Sequence, residues 1–196
     1  MDDRIEWNAP PLNIRGIWSP LDKPIEHTLL QTPHGNIEWS CLAPRASASI
    51  SHSRERLEGL GYVERLTLTI VPWELPFNEL RWGRFLSEHH TLVWIDWRGD
   101  RPFSLVFYDG KECQHTEVTE QQIVLKDEKT VLSFTDQQII REGPLLATLS
   151  RIPGLDQILP AKILQTHERK WCSRGRLETP IGLETGWAIH EVVSMV

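Results

Sequence analysis

The stretch TLVWIDWRGDRPFSLVFYDGKECQHTEV, residues 91–118, decides the fold. Residues 91–97 are almost all β-branched, aromatic or aliphatic, and the run stops at Arg98-Gly99-Asp100. Phe103 to Tyr108 repeats the pattern, and Asp109-Gly110 then turns the chain back into Lys111 to Val118. Asp-Gly is a strong hairpin signal because both positions accept positive φ. Working outward, Pro33-His34-Gly35-Asn36 predicts a second hairpin between strands at 25–32 and 37–42. After Gly59-Leu60-Gly61, residues 62–71 alternate, with Tyr62, Glu64, Leu66, Leu68 and Ile70 on one face. Strands are also expected at 81–86, 121–126, 129–135, 166–177 and 186–193. Helical turns are expected only at 136–141 and 155–164, where Gly143-Pro144, Pro153-Gly154 and Pro160 keep them short. Some ten short strands with turn signals between them specify an all-β, antiparallel barrel or sandwich. Closing a barrel removes sheet edges and can enclose one small ligand.

The composition narrows the classes. The chain has 196 residues, and 27 acidic against 21 basic side chains leave a net charge of −6. One domain is expected over 25–196, preceded by an irregular, proline-rich arm at 1–24. A pI near 5.8 and the absence of any basic block argue against nucleic acid as a partner. No apolar run is long enough for an integral membrane span, and Met1-Asp2-Asp3-Arg4-Ile5-Glu6 has no signal-peptide character. Three scattered cysteines, Cys41, Cys113 and Cys172, suit a reducing compartment, so a cytoplasmic location is expected. Nine tryptophans outnumber the five phenylalanines and two tyrosines together.

No metal, nucleotide or nucleophile-elbow motif is present, and no cofactor or metal is expected. His89-His90 is an isolated pair, and Cys172 reads as a half-buried strand cysteine. The more informative signal is charge set on apolar strand faces. Glu64 shares a face with Tyr62, Leu66, Leu68 and Ile70; Asp96 lies with Leu92, Trp94 and Arg98; Glu191 lies with Trp187, Ile189 and Val193, and His190 is on the opposite face. A carboxylate buried on such a face must be paired or protonated. A structural ion pair and a ligand-binding or catalytic acid are both consistent with that pattern.

The segments Gly35 to Ala46, Gly59-Leu60-Gly61-Tyr62-Val63-Glu64, Leu80-Arg81-Trp82-Gly83-Arg84-Phe85 and Thr91 to Gly99 come in the order seen in one family. There is a weaker echo in Gly186-Trp187-Ala188-Ile189-His190-Glu191. In these segments the chain resembles the carotenoid 1,2-hydratase (hydroxyneurosporene synthase) and AttH-like group of calycin-type proteins. The resemblance implies an antiparallel lipocalin-like β-barrel. It departs from the family where Glu64 runs into Arg65-Leu66-Thr67 instead of His-Asn-Trp-Gly, and the chain has length for about one of the family's two tandem barrels.

Together these readings lead to a barrel acting on a small hydrophobic molecule (a terpenoid, polyene or polyketide) by acid–base chemistry, as a hydratase, cyclase or isomerase. Glu64 and Asp96 are the candidate catalytic carboxyls, and Tyr62, Trp82, Arg84, Trp94 and Trp187 the candidate substrate-binding residues. A non-catalytic carrier or sensor with the same cavity is the alternative, and an accessory protein with a filled interior is a third. The oligomeric state is not specified by the sequence.

Overall fold

A computed structural model describes residues 4–144 and 165–195. The chain divides into two compact units, Met1–Ile70 and Val71–Val196. The first holds β1 (Ile5–Ala9), β2 (Ile14–Pro20), β3 (Ile25–Thr32), β4 (Gly35–His52) and β5 (Glu55–Leu68). The second holds β6 (Glu79–Leu86), β7 (Thr91–Arg98), β8 (Phe103–Tyr108), β9 (Lys111–Cys113), β10 (Thr116–Val118), β11 (Gln122–Leu125), β12 (Thr130–Pro144), β13 (His167–Thr179) and β14 (Gly182–Ser194). Single 3-10 turns at Pro10–Leu12 and Pro72–Glu74 are the helical elements among the described residues. The fold is all-β and antiparallel, as the sequence implied.

In the first unit, β4 is the organising strand. It pairs with β5 on one side, and on the other with β3 over its first half and β2 over its second. The 25–32 and 37–42 hairpin is present, but the strand continues to His52. Ala46, Ser47, Ala48 and Ser49 have little intrinsic β preference; flanking strands on both sides impose the conformation. Pro44 is accommodated because the β4–β5 register shifts between Ala43 and Ala46, where a ladder donor is not required. Two expectations are corrected here. The lead-in is not irregular, since β1 and β2 form a hairpin with Ile5 opposite Trp18. The strand expected at 62–71 begins earlier, at Glu55, passes through Gly59-Leu60-Gly61 and ends at Leu68.

The second unit is a nine-stranded sheet in the order β10-β11-β12-β13-β14-β6-β7-β8-β9. Its two end strands are consecutive in sequence, separated only by Gln114 and His115, so the sheet curls into a nearly closed barrel. Asp109 (φ 48°) and Gly110 (φ 77°) both take positive φ, as the β8–β9 turn demands. The helical turn expected at 136–141 is instead strand. Asp136 takes a φ of 48°, and β12 passes two register shifts against β13, bulges that bend the strand without ending it. The helical turn expected at 155–164 lies outside the described residues.

Register determines what fills the barrel. Ala188 lies opposite Phe85, Trp94 opposite Val106, and Leu132 opposite Leu177, and all six belong to one buried cluster with Leu92, Ile123, Leu125 and Phe134. Each of the larger aliphatic and phenylalanine side chains contributes about 1.5–3 kcal/mol on burial. Glycines make the room. A Cβ on Gly83 would lie 2.4 Å from the Trp94 indole, and one on Gly175 would lie 2.4 Å from the Phe85 ring. That explains the glycine in the Trp82-Gly83-Arg84 strand. Because Phe85 is fully buried, its ring has nowhere to retreat. Gly175→Ala is expected to lower unfolding stability by about 1–3 kcal/mol, measured by urea denaturation followed by tryptophan fluorescence.

Candidate functional site

One end of the second unit opens into a cavity of about 270 Å³. The first residues of β6 and β13 and the last of β14 form its wall, with Glu79, Glu142, His167, Glu168, Arg169 and Trp171 prominent. Opposite charges ring this mouth. Arg81 Nε donates to Glu79 (2.6 Å), and Arg81 also lies 3.7 Å from Glu120. Arg98 donates to Asp96 (2.9 Å) and to the Val118 carbonyl (2.6 Å). Arg169 Nε donates to Glu142 (2.7 Å). The inner-face positions of β6 and β7 thus change from apolar at Phe85, Leu92 and Trp94 to charged at Glu79, Arg81, Asp96 and Arg98. The interior is filled and the mouth is polar.

Beneath the mouth lies His190, 3% exposed. Its imidazole is stacked between Phe134 (4.3 Å between centroids) and Trp171 (5.0 Å), and Nε2 is 2.9 Å from Ser173 Oγ. Burial lowers its pKa to about 4, so it is neutral at pH 7. Trp171 separates this ring from the cavity that it lines on its other side.

The opposite face of β13 and β14 carries a buried ionic group. Lys170 lies opposite Glu191 in the ladder, with Nζ 2.5 Å from its carboxylate and 3.4 Å from that of Glu168. Arg141 is 3.0 Å from the second oxygen of Glu168, which is only 4% exposed. Burial is the strongest influence on Glu191 and raises its pKa; Lys170 pulls it down, and Glu168 raises it again through charge and a carboxyl–carboxyl hydrogen bond. The net direction is upward. For Lys170 burial is again the strongest influence and lowers the pKa, but the two carboxylates outweigh it and the ammonium is held charged. Glu191, its pKa shifted upward by burial, therefore sits beside a second carboxyl group, that of Glu168, which reaches the cavity wall.

The residues singled out from sequence are dispersed. In the first unit, Glu64 is half-buried on β5 and accepts the Trp39 indole N–H (2.9 Å), and Tyr62 precedes it on the same face. In the second, Asp96 is bound into the ion cluster at the mouth. Trp94 is barrel core, stacked on Phe134 at 5.6 Å. Trp82 and Arg84 point to the outer face, the fully buried guanidinium 5.1 Å from the indole. Trp187 is half exposed on that face, under the Arg174 guanidinium at 4.1 Å. The paired group Glu168, Lys170 and Glu191 was only partly visible: alternation marked Glu191 as an acid on an apolar face, but its partners depend on the register of β13. Among the described residues no cluster of His, Cys, Asp and Glu has metal-binding geometry, and no helix is long and apolar enough to cross a membrane.

No protein-family model and no curated protein matches the chain. Solved structures do. CghA crystallised with Sch210972 superposes with a TM-score of 0.56 at 12% identity, over 98% of this chain and 64% of that one. Kievitone hydratase from Nectria haematococca gives 0.55 at 10% identity, over 97% and 64%. A putative AttH from Nitrosomonas europaea gives 0.54 at 11% identity, over 98% and 64%. The chain therefore spans less than two thirds of the length of these neighbours. The likeness establishes the fold, and the AttH-type barrel that the sequence resemblance implied is the one observed.

His190 makes stability depend on pH. Its pKa is depressed in the folded chain, from 6.5 to about 4. Its contribution is therefore complete above pH 6.5 and falls as pH drops towards 4, because the unfolded chain takes up a proton that the native one refuses. Wild type is expected to lose about 2 kcal/mol more than His190→Gln between pH 7 and pH 5, measured by urea denaturation at each pH.

Proposed function

We propose that this protein is an acid–base enzyme of the hydratase, cyclase or isomerase type, acting without a cofactor on a small hydrophobic molecule of terpenoid, polyene or polyketide character. The observation that carries this reading is the buried group of Glu191, Lys170 and Glu168, whose Glu168 lies in the cavity wall and in which burial shifts the Glu191 pKa upward. One neighbour in fold bears the name of a hydratase, and another was crystallised with Sch210972; both are longer than this chain, and their chemistry is a guide to class alone.

In this mechanism Glu191 delivers a proton, by way of Glu168, to an alkene or carbonyl of the substrate. The pair is left ionised, with Lys170 and Arg141 balancing its charge. Proton return, from an attacking water or from a neighbouring substrate carbon, resets the pair. The cavity volume lies just below the range typical of drug-sized ligands. It admits the oxygen-bearing end of a substrate, which the arginines of the mouth would hold, while Trp171 offers an apolar floor. Asp96 serves here as part of that anchoring cluster, and Trp94 supports the floor through Phe134 and His190. Glu64, with Tyr62 on its face and Trp39 orienting it, is the rival acid, contributed by the first unit.

Solvent deuterium separates the possibilities. Alkenes and enones of the three substrate types, incubated with the protein in deuterium oxide, are expected to yield a product that carries deuterium at carbon, read by mass spectrometry. Glu191→Gln should reduce that incorporation about 100-fold or more with little change in KM. If Glu64→Gln abolishes it and Glu191→Gln does not, the acid belongs to the first unit. A ligand that binds and returns unlabelled with both variants and wild type identifies a carrier.

A further inference from the structure

The first unit has a long open edge. Among the described residues β5 (Glu55–Leu68) pairs in the sheet on one side only, with β4, and so lies at the sheet's edge. Leu57 is 69% exposed and Leu60 44% exposed along it. Folded proteins protect an edge of this kind or use it, because its unpaired amide and carbonyl groups are a template for another strand. The segment Glu55-Arg56-Leu57-Glu58-Gly59-Leu60-Gly61-Tyr62-Val63-Glu64-Arg65 contains no proline, no lysine and no bulge of its own; what guards it is charge of both signs, at Glu55, Arg56, Glu58, Glu64 and Arg65.

We infer that this edge pairs with the same edge of a second copy, antiparallel about a two-fold axis at Leu60. The sequence is complementary to its own reverse in that register. Leu60 lies opposite the partner's Leu60, Leu57 opposite the partner's Val63, Arg56 opposite the partner's Glu64, and Glu55 opposite the partner's Arg65. Two-fold symmetry makes each opposite-charge pair occur twice. Neighbouring registers lose the match. A slip of one residue sets Glu55 against Glu64 in one direction and Arg56 against Arg65 in the other, and a slip of two sets Glu58 against Glu64 or brings no opposite charges together. Pairs directly opposite in an antiparallel ladder attract when opposite in charge and repel when alike, so the charge pattern selects the register as well as the partner. Because faces are preserved, Leu57, Leu60 and Val63 meet apolar side chains, Tyr62 lies opposite the partner's Glu58, and the two small sheets become one continuous sheet.

Sedimentation velocity over a range of protein concentrations tests this. Wild type is expected to show a monomer–dimer equilibrium. Glu55→Arg and Arg65→Glu, both at exposed positions, should each raise the dimer dissociation constant about tenfold or more. The double variant should return it to within about threefold of wild type, since it restores both pairs with their signs exchanged. Near-ultraviolet circular dichroism confirms that each variant is folded. Independently, Leu60→Cys should form a covalent dimer under mild oxidation, because the two substituted side chains meet on the axis. A wild type that stays monomeric throughout, or a dimer indifferent to both single reversals, overturns the proposal.

Discussion

The register between β13 and β14 is the constraint on which the second unit turns. It runs without a shift from His167 opposite Ser194 to Thr179 opposite Gly182. Strand side chains alternate, so that one alignment sets two environments at once. Inward, Trp171 meets His190 and Ser173 meets Ala188; outward, Lys170 meets Glu191. A slip of one residue would turn Lys170 into the aromatic interior and expose Trp171. The cost of burying an unpaired ammonium there makes the alternative register untenable. The stacked histidine and the buried ionic group are therefore consequences of one alignment, on opposite sides of the same two strands.

The ionic group itself adds little to stability. Removing two carboxylates, a lysine and an arginine from water costs several kcal/mol for each ion, and their mutual attraction repays this only when geometry and hydrogen bonding are good. An apolar set of equal volume would often serve the fold as well. On the proposed reading, its place next to the cavity is better understood as chemistry. The raised pKa of Glu191 is the property that an apolar replacement would lose.

The fold was legible in sequence wherever local signals agree with the final pairing. Asp109-Gly110, the run from Thr91, and the 25–32 and 37–42 hairpin all combine turn chemistry with β propensity. It was illegible where tertiary pairing overrides propensity. The small residues of the second half of β4 and the prolines of the lead-in are drawn into sheet by neighbours distant in sequence. The 136–141 segment read as helical because a bulge, seen at Asp136, is not encoded by periodicity. The site behaved the same way. Parity identified Glu191 as an acid on an apolar face, but its charged partner Lys170 stands 21 residues earlier in the chain and meets it only through register.

The distribution of tryptophan bears on what kind of barrel this is. A carrier of the lipocalin type keeps its interior hollow and lines it with apolar side chains. Here the interior is occupied by Phe85, Trp94, Phe134 and the aliphatic residues around them, with glycines recessed to admit the rings. Trp94 therefore serves as packing; Trp82 and Trp187 face outward, each beside an arginine; and Trp171 alone among them borders the cavity. A space of about 270 Å³ at a charged mouth is small for enclosing an entire apolar ligand, and on the proposed reading it takes only the group to be oriented and protonated. The filled core supplies rigidity to that mouth, because an end built on a packed barrel can hold Glu168 and the ring of ion pairs in one arrangement, and pre-organised charge is the form in which electrostatics contributes most to catalysis.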